Sequence, residues 1–187
     1  MIFAPVMSTR DLTTLSNIGA LPAVAHLWAG GRPVAAAAVL LAMGFSIAFH
    51  ATEGESMHVF GMDVHHHLDE GYVVRHVFPA RWMRWGKEHS NMLLRLDEAG
   101  ALMALVVVCI SGGGFGRVFS SAYRECTWSV VLALLSLALS DLCLDGWAHA
   151  VVHTCWHGLV FTLPVRMSVF AASNSDNRAL ADGRKKE

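Results

Sequence analysis

Eleven histidines stand in a chain of 187 residues that is 54% hydrophobic and only 16% charged. Polar side chains are costly in apolar surroundings and tend to be functional there. Several of them form a pattern with two other polar groups. Ser46 and His50 lie four apart in an apolar run, so a helix puts them on one face. Asp97 stands in LLRLDEAGALMAL, and His149, His153 and His157 follow one another at spacings of four. Neutral imidazoles suit Zn²⁺, and a catalytic zinc takes three protein ligands and a water. The ion lowers the pKa of that water to about 7. A neighbouring carboxylate can take the proton, and a serine hydroxyl can steady a ligand or a developing oxyanion. Hydrogen bonding between helices is the plainer use of such histidines.

Helices must carry these groups. A spanning helix needs about 20 mostly apolar residues. Five segments approach that length, at about 12–29, 33–51, 92–110, 126–140 and 147–165. The first is the weakest, because it holds Asn17, Pro22 and His26. The expected fold is therefore all-α: a polytopic transmembrane bundle of about five spans. Residues 1–11 form an N-terminal segment, and 12–165 the transmembrane domain. A long polar loop at 52–90 interrupts that domain, and 166–187 read as a disordered polar tail. Topology then tests the pattern. His50 ends the second span, Asp97 begins the third, and the fifth begins on that same side. His153 and His157 lie roughly 9 and 15 Å into the fifth helix. The scattered polar groups can thus meet in one zone near the long loop.

The ordered motifs resemble a superfamily of seven-span membrane proteins, CREST, that includes alkaline ceramidases and adiponectin receptors. Its marks are S-x-x-x-H late in the second helix, an Asp early in the third and H-x-x-x-H in the last. Here these are Ser46/His50, Asp97 and His153/His157. The stretches TLSNIGALPAVAHLWAGGRP, FSIAFHATEG and VHTCWHGL resemble the myomaker-like branch. The resemblance covers about 12–52 and 92–165. It implies a zinc site formed by His50, His153 and His157, with Asp97 and Ser46 beside the metal as catalytic residues. It also implies a lipid amide or ester as substrate and an external N-terminus. The chain departs from the family pattern in having five spans, the usual fourth and fifth being missing between Ile110 and Cys126.

Other readings stay open beside this one. Asp97 can instead pair with Arg95, and Ser46 can be a small packing residue. His149 lies one turn nearer the surface. His65, His66 and His67 are candidate metal binders in a solvated loop. Cys109, Cys126, Cys143 and Cys155 form no CxxC pair and read as small buried hydrophobes. Trp82, Trp85 and Trp147 suit the membrane interface. A net charge of −1 offers no basic surface for nucleic acid. Met1 to Arg10 lacks the pattern of a cleaved signal peptide. Basic residues number five on the side of Arg10 and the long loop and eight on the other, which favours an extracytoplasmic N-terminus and a cytoplasmic C-terminus.

Four functions are compatible with this sequence. The leading one is a zinc-dependent membrane hydrolase acting on membrane lipid. The second is a non-enzymatic fusion or receptor-like factor with a structural zinc. A metal transporter and a haem cytochrome are the others. A homo-oligomer is one way for a shortened bundle to complete its wall.

Overall fold

Ser8 starts the first helix. Its hydroxyl accepts from the Asp11 backbone N–H at 3.0 Å, and the Asp11 carboxylate accepts in return from the Ser8 N–H at 3.5 Å. This reciprocal cap satisfies two donors that a helix end otherwise leaves open. The computed structural model describes residues 7–52, 56–59, 62–65, 72–112, 124–142 and 146–184. Helix α1 spans Thr9–Ser16, a 3-10 turn Asn17–Ala20, and α2 Leu21–Ala29. Together they form one near-continuous helical segment where the weak first span was expected. Gly31, at φ +69°, reverses the chain after α2 in a conformation that glycine adopts without strain.

Helix α3 (Pro33–Thr52) follows, and then α6 (Ser90–Ser111), α7 (Arg124–Leu142) and α8 (Gly146–Arg184). Between α3 and α6 lie a hairpin of β1 (Ser56–Val59) and β2 (Met62–His65) and the short helices α4 (Tyr72–Val77) and α5 (Ala80–Glu88). The strands pair antiparallel, with Ser56 opposite His65 and Val59 opposite Met62. Within the expected long polar loop at 52–90, the described residues form a hairpin and two short helices. Its apolar residues, spaced among charged ones, allow α5 to settle on the ends of α3 and α6. The fold is helical, with this hairpin as its β element among the described residues.

Helix α8 also overturns an expectation. Residues 166–187 read as disordered, yet the helix continues to Arg184. No proline follows Pro164, and the next glycine after it is Gly183. Ala, Leu, Met and Arg within that stretch are good helix formers.

Packing joins the helices around small residues. Helix α3 packs along α6 and α2, α7 along α8, and α1 against both α8 and α3. The core holds Ala35, Ala36, Val39, Ala42, Ala104, Val108 and Leu163. Where α6 crosses α3, a Cβ on Gly100 would meet Phe45 at 2.9 Å and the Ala42 Cα at 3.3 Å. Small residues let helices approach this closely. Among the described residues, α3 is the one helix long and apolar enough to cross a membrane, with a mean hydropathy of 2.0, and Cys126–Ser140 is a shorter apolar helix.

The distribution of polarity is unusual. Large hydrophobics face outward on α7, where Trp128 is 60% and Leu142 68% exposed, with Leu132, Leu134, Leu135 and Leu139 between them. Ser46, His50, Ser140, His149, His153 and His157 are all buried. Cys109 and Cys126 are buried as expected, but Cys155 is exposed. It falls on the outer side of α8, between the inward-facing His153 and His157. Cys143 lies outside the described residues.

Candidate metal centre

Three helices supply the centre. Helix α3 carries Ser46 and His50 on one face, α8 carries His153 and His157 on another, and α6 brings Asp97. The ring nitrogens of His50, His153 and His157 lie within 4.8 Å of one another, and all three residues are buried. His50 Nε2 stands 3.0 Å from His153 Nε2. Ser46 Oγ is 3.4 Å from His157 Nε2. An Asp97 carboxylate oxygen reaches 3.9 Å from His50 Nε2, close enough for charge attraction and too far for a direct hydrogen bond. All five residues named from the sequence therefore come together.

Two further serines fix the rings. Ser16 Oγ sits 2.7 Å from His157 Nδ1. Ser140 Oγ sits 3.3 Å from His153 Nδ1. Each holds the Nδ1 edge of an imidazole and leaves its Nε2 edge turned to the cluster. A partner of this kind sets the tautomer and orientation of a metal-binding histidine. The sequence analysis missed both. Ser16 and Ser140 sit at the ends of the first and fourth apolar segments, on the side where His50 and Asp97 lie, but no spacing sets them apart from packing serines.

The alternatives resolve on geometry. His149 takes no place in the three-histidine cluster. Its Nδ1 meets the Ser140 carbonyl at 2.9 Å, and its ring stacks on His153 with centroids 5.4 Å apart. Arg95 pairs with Glu98 at 2.8 Å on the exposed side of α6, one turn along the helix. That leaves Asp97 facing inward. His66 and His67 lie outside the described residues.

The three imidazoles form a donor set that could hold a metal ion. Tetrahedral coordination with bonds of 2.0–2.1 Å sets ligand nitrogens about 3.3 Å apart. The 3.0 Å separation of the His50 and His153 nitrogens is close to that value. Three imidazoles, no thiolate and a carboxylate at the edge form a set that suits zinc, copper, iron or nickel.

A narrow cleft of about 40 Å³ opens beside the centre between α3, α6 and α8. Ser46, Asp97 and His157 line one end. Val39, Val108, Phe161 and Pro164 line the rest. From Ser46 to Val39 and from Asp97 to Val108 the helices rise about 10 and 16 Å. The lining is thus a narrow apolar trough with its polar groups gathered at one end. Comparison with family models, curated proteins and solved structures finds no match for the chain.

Proposed function

We propose that the chain is a multi-pass membrane protein, similar to the alkaline ceramidase and adiponectin receptor superfamily in its myomaker-like branch, that binds Zn²⁺ and hydrolyses a lipid amide or ester. The observation that carries this reading is the three-histidine cluster with Asp97 and Ser46 at the end of an apolar trough. The inverted polarity supports the membrane setting. Leucines and tryptophan face outward on α7 while the histidines are buried, as suits a bundle whose solvent is hydrocarbon. The N-terminus is external and the C-terminus cytoplasmic in this reading, by the balance of basic residues.

His50, His153 and His157 would hold the ion. When bound, zinc supplies a water made acidic enough to lose a proton near neutral pH and a Lewis acid for a carbonyl oxygen. The trough walls would take the apolar part of the lipid and keep bulk water away. Asp97, at the edge of the cluster, would accept the proton from the attacking water and then deliver it to the leaving amine or alcohol. Ser46 would donate its hydroxyl hydrogen to the carbonyl oxygen as charge develops there. Ser16 and Ser140 would keep the His157 and His153 rings turned inward.

The test is metal analysis of purified protein together with hydrolysis of a ceramide and a phospholipid ester in mixed micelles. The native chain is expected to carry one zinc and cleave one substrate. His153→Ala is expected to lose both the metal and the cleavage. Full zinc in that variant overturns the ligand assignment. Zinc without cleavage in the native chain overturns the hydrolase and leaves the structural metal of a fusion or receptor-like factor.

A further inference from the structure

Buried oxygens stand unpaired where α1 and the turn after it pack against α8. Thr14 and Asn17 come from the α1 side and are 5% and 0% exposed. Thr154 comes from α8, half-buried as a residue but with its Oγ1 shut off from solvent. No described residue bonds to Thr14 Oγ1, Asn17 Oδ1 or Thr154 Oγ1.

Local bonding explains why the α1 atoms are left over. A helical threonine ordinarily returns its hydroxyl to a carbonyl about one turn back. The Arg10 carbonyl, which would serve Thr14, already receives the Thr13 hydroxyl at 3.2 Å. Asn17 donates from Nδ2 to the Thr13 carbonyl at 3.0 Å, which turns its Oδ1 to the opposite edge.

Placement brings the three oxygens to one zone. Thr14 and Asn17 are three apart, so they are neighbours on one helix face. Thr154 shares a face with His157 in the same way. Ser16 Oγ meets His157 Nδ1 across the seam at 2.7 Å. Helices α1 and α8 both start at the end of the bundle where α3 finishes. Thr14 stands about 3 Å before Ser16 along its helix, and Thr154 about 4.5 Å before His157 along α8. The two threonines therefore fall at nearly one depth.

A buried polar atom without a partner costs free energy. Internal water ordinarily meets such groups, making about three hydrogen bonds. The donors and acceptors here close on one molecule. It gives one hydrogen to Asn17 Oδ1 and one to Thr14 Oγ1, and it accepts the Thr154 hydroxyl hydrogen. We propose that a single buried water bridges Thr14, Asn17 and Thr154 across the α1–α8 seam. The bridge ties α1 to α8 about one turn from Ser16, the residue that holds the His157 ring. Its occupancy depends on neither the metal nor hydrolysis.

The test uses the full chain in neutral detergent and reads the midpoint of thermal unfolding. Valine has nearly the shape of threonine and lacks the hydroxyl. Where a hydroxyl stands bare, this substitution removes an unpaired polar atom and raises the midpoint. Where water bridges it, the same change strips the water of a partner and lowers the midpoint. Thr14→Val and Thr154→Val are each expected to lower it by about 2–4 °C. The double variant Thr14→Val/Thr154→Val is expected to lose less than the two single losses added, because the one water is lost only once. In the isotopically labelled native chain, the Asn17 side-chain amide is expected to show a nuclear Overhauser peak to water, and the double variant to lack it. A raised or unchanged midpoint in either single variant, additive losses in the double variant, or no water peak at Asn17 overturns the bridge.

Discussion

At the scale of the residue, the imidazoles matter through the edges that other groups hold. Ser140 meets His153 Nδ1 at 3.3 Å and Ser16 meets His157 Nδ1 at 2.7 Å. Removing either hydroxyl frees a ring to turn away. Ser140→Ala is therefore expected to lower metal affinity roughly 10–100-fold, measured by competition with a zinc chelator. Unchanged affinity in both Ser140→Ala and Ser16→Ala would mean that packing alone orients the rings. Asp97 is expected to behave differently, because it stands 3.9 Å from His50 and outside the three-nitrogen set. Asp97→Asn should keep the metal and lose about 10²–10⁴-fold in hydrolysis. Loss of metal in that variant would make Asp97 a ligand or a support for one. The five expected site residues were legible because their spacings repeat the helix turn and their helix ends fall on one side. The two serines were not, since an isolated serine in an apolar helix looks like any small packing residue.

Elements set where those residues can stand. A close approach in the bundle is at Gly100, where α6 leans on Ala42 and Phe45 of α3. A larger residue there pushes α6, and with it Asp97 one turn earlier, away from His50. Gly100→Leu is expected to destabilise the fold by about 1–3 kcal/mol, with a lower midpoint in thermal unfolding. Wild-type stability in this variant would show that α3 and α6 can separate without strain. The α1–α4 junction gives a pH dependence. Asp11, which precedes the first apolar segment, is pushed up by burial. The backbone N–H groups of Val74 and Val73, the Ser8 hydroxyl and the Ser8 N–H outweigh that, and the carboxyl sits below its usual range. A lowered folded pKa stabilises above the unfolded carboxyl range, near 3.9. That contribution is lost as pH falls through the lowered value. Protection of the Val74 amide against exchange, relative to a free peptide at the same pH, should fall in acid, and Asp11→Asn should remove that pH dependence. The long helices were legible from runs of apolar residues. The hairpin and α4 were not, because they lie in a stretch mixing charge, histidine and aromatics with no sustained period. The tail was misread for a related reason: polar composition suggested disorder, while the backbone-permissive sequence carries α8 onward to Arg184.

At the scale of the whole molecule, the outward leucines of α7 define what surrounds it. Leu135 is 51% exposed near the middle of that helix. In a bilayer, Leu135→Arg is expected to cost about 2.5–3.5 kcal/mol of insertion free energy, read as a loss of membrane-integrated protein. Normal integration would place α7 against water or another protein surface. Helical character and the convergence at one end were legible in the sequence. The trough was not, because it depends on how far α3, α6 and α8 stand apart, which no local pattern specifies. One feature also governs the order in which the molecule is made. His50 and His153 are 103 positions apart, and Ser16 and His157 are 141 apart. A chain emerges from the ribosome N-terminus first. His50 is therefore made with Ser16, Ser46 and later Asp97 for company, and both remaining imidazoles arrive on the last helix. Any ion held by all three imidazoles is captured only after α8 has been made. Ion capture then becomes a checkpoint for finished synthesis: nascent chains stalled before α8 should emerge metal-free, and those released after it metal-competent.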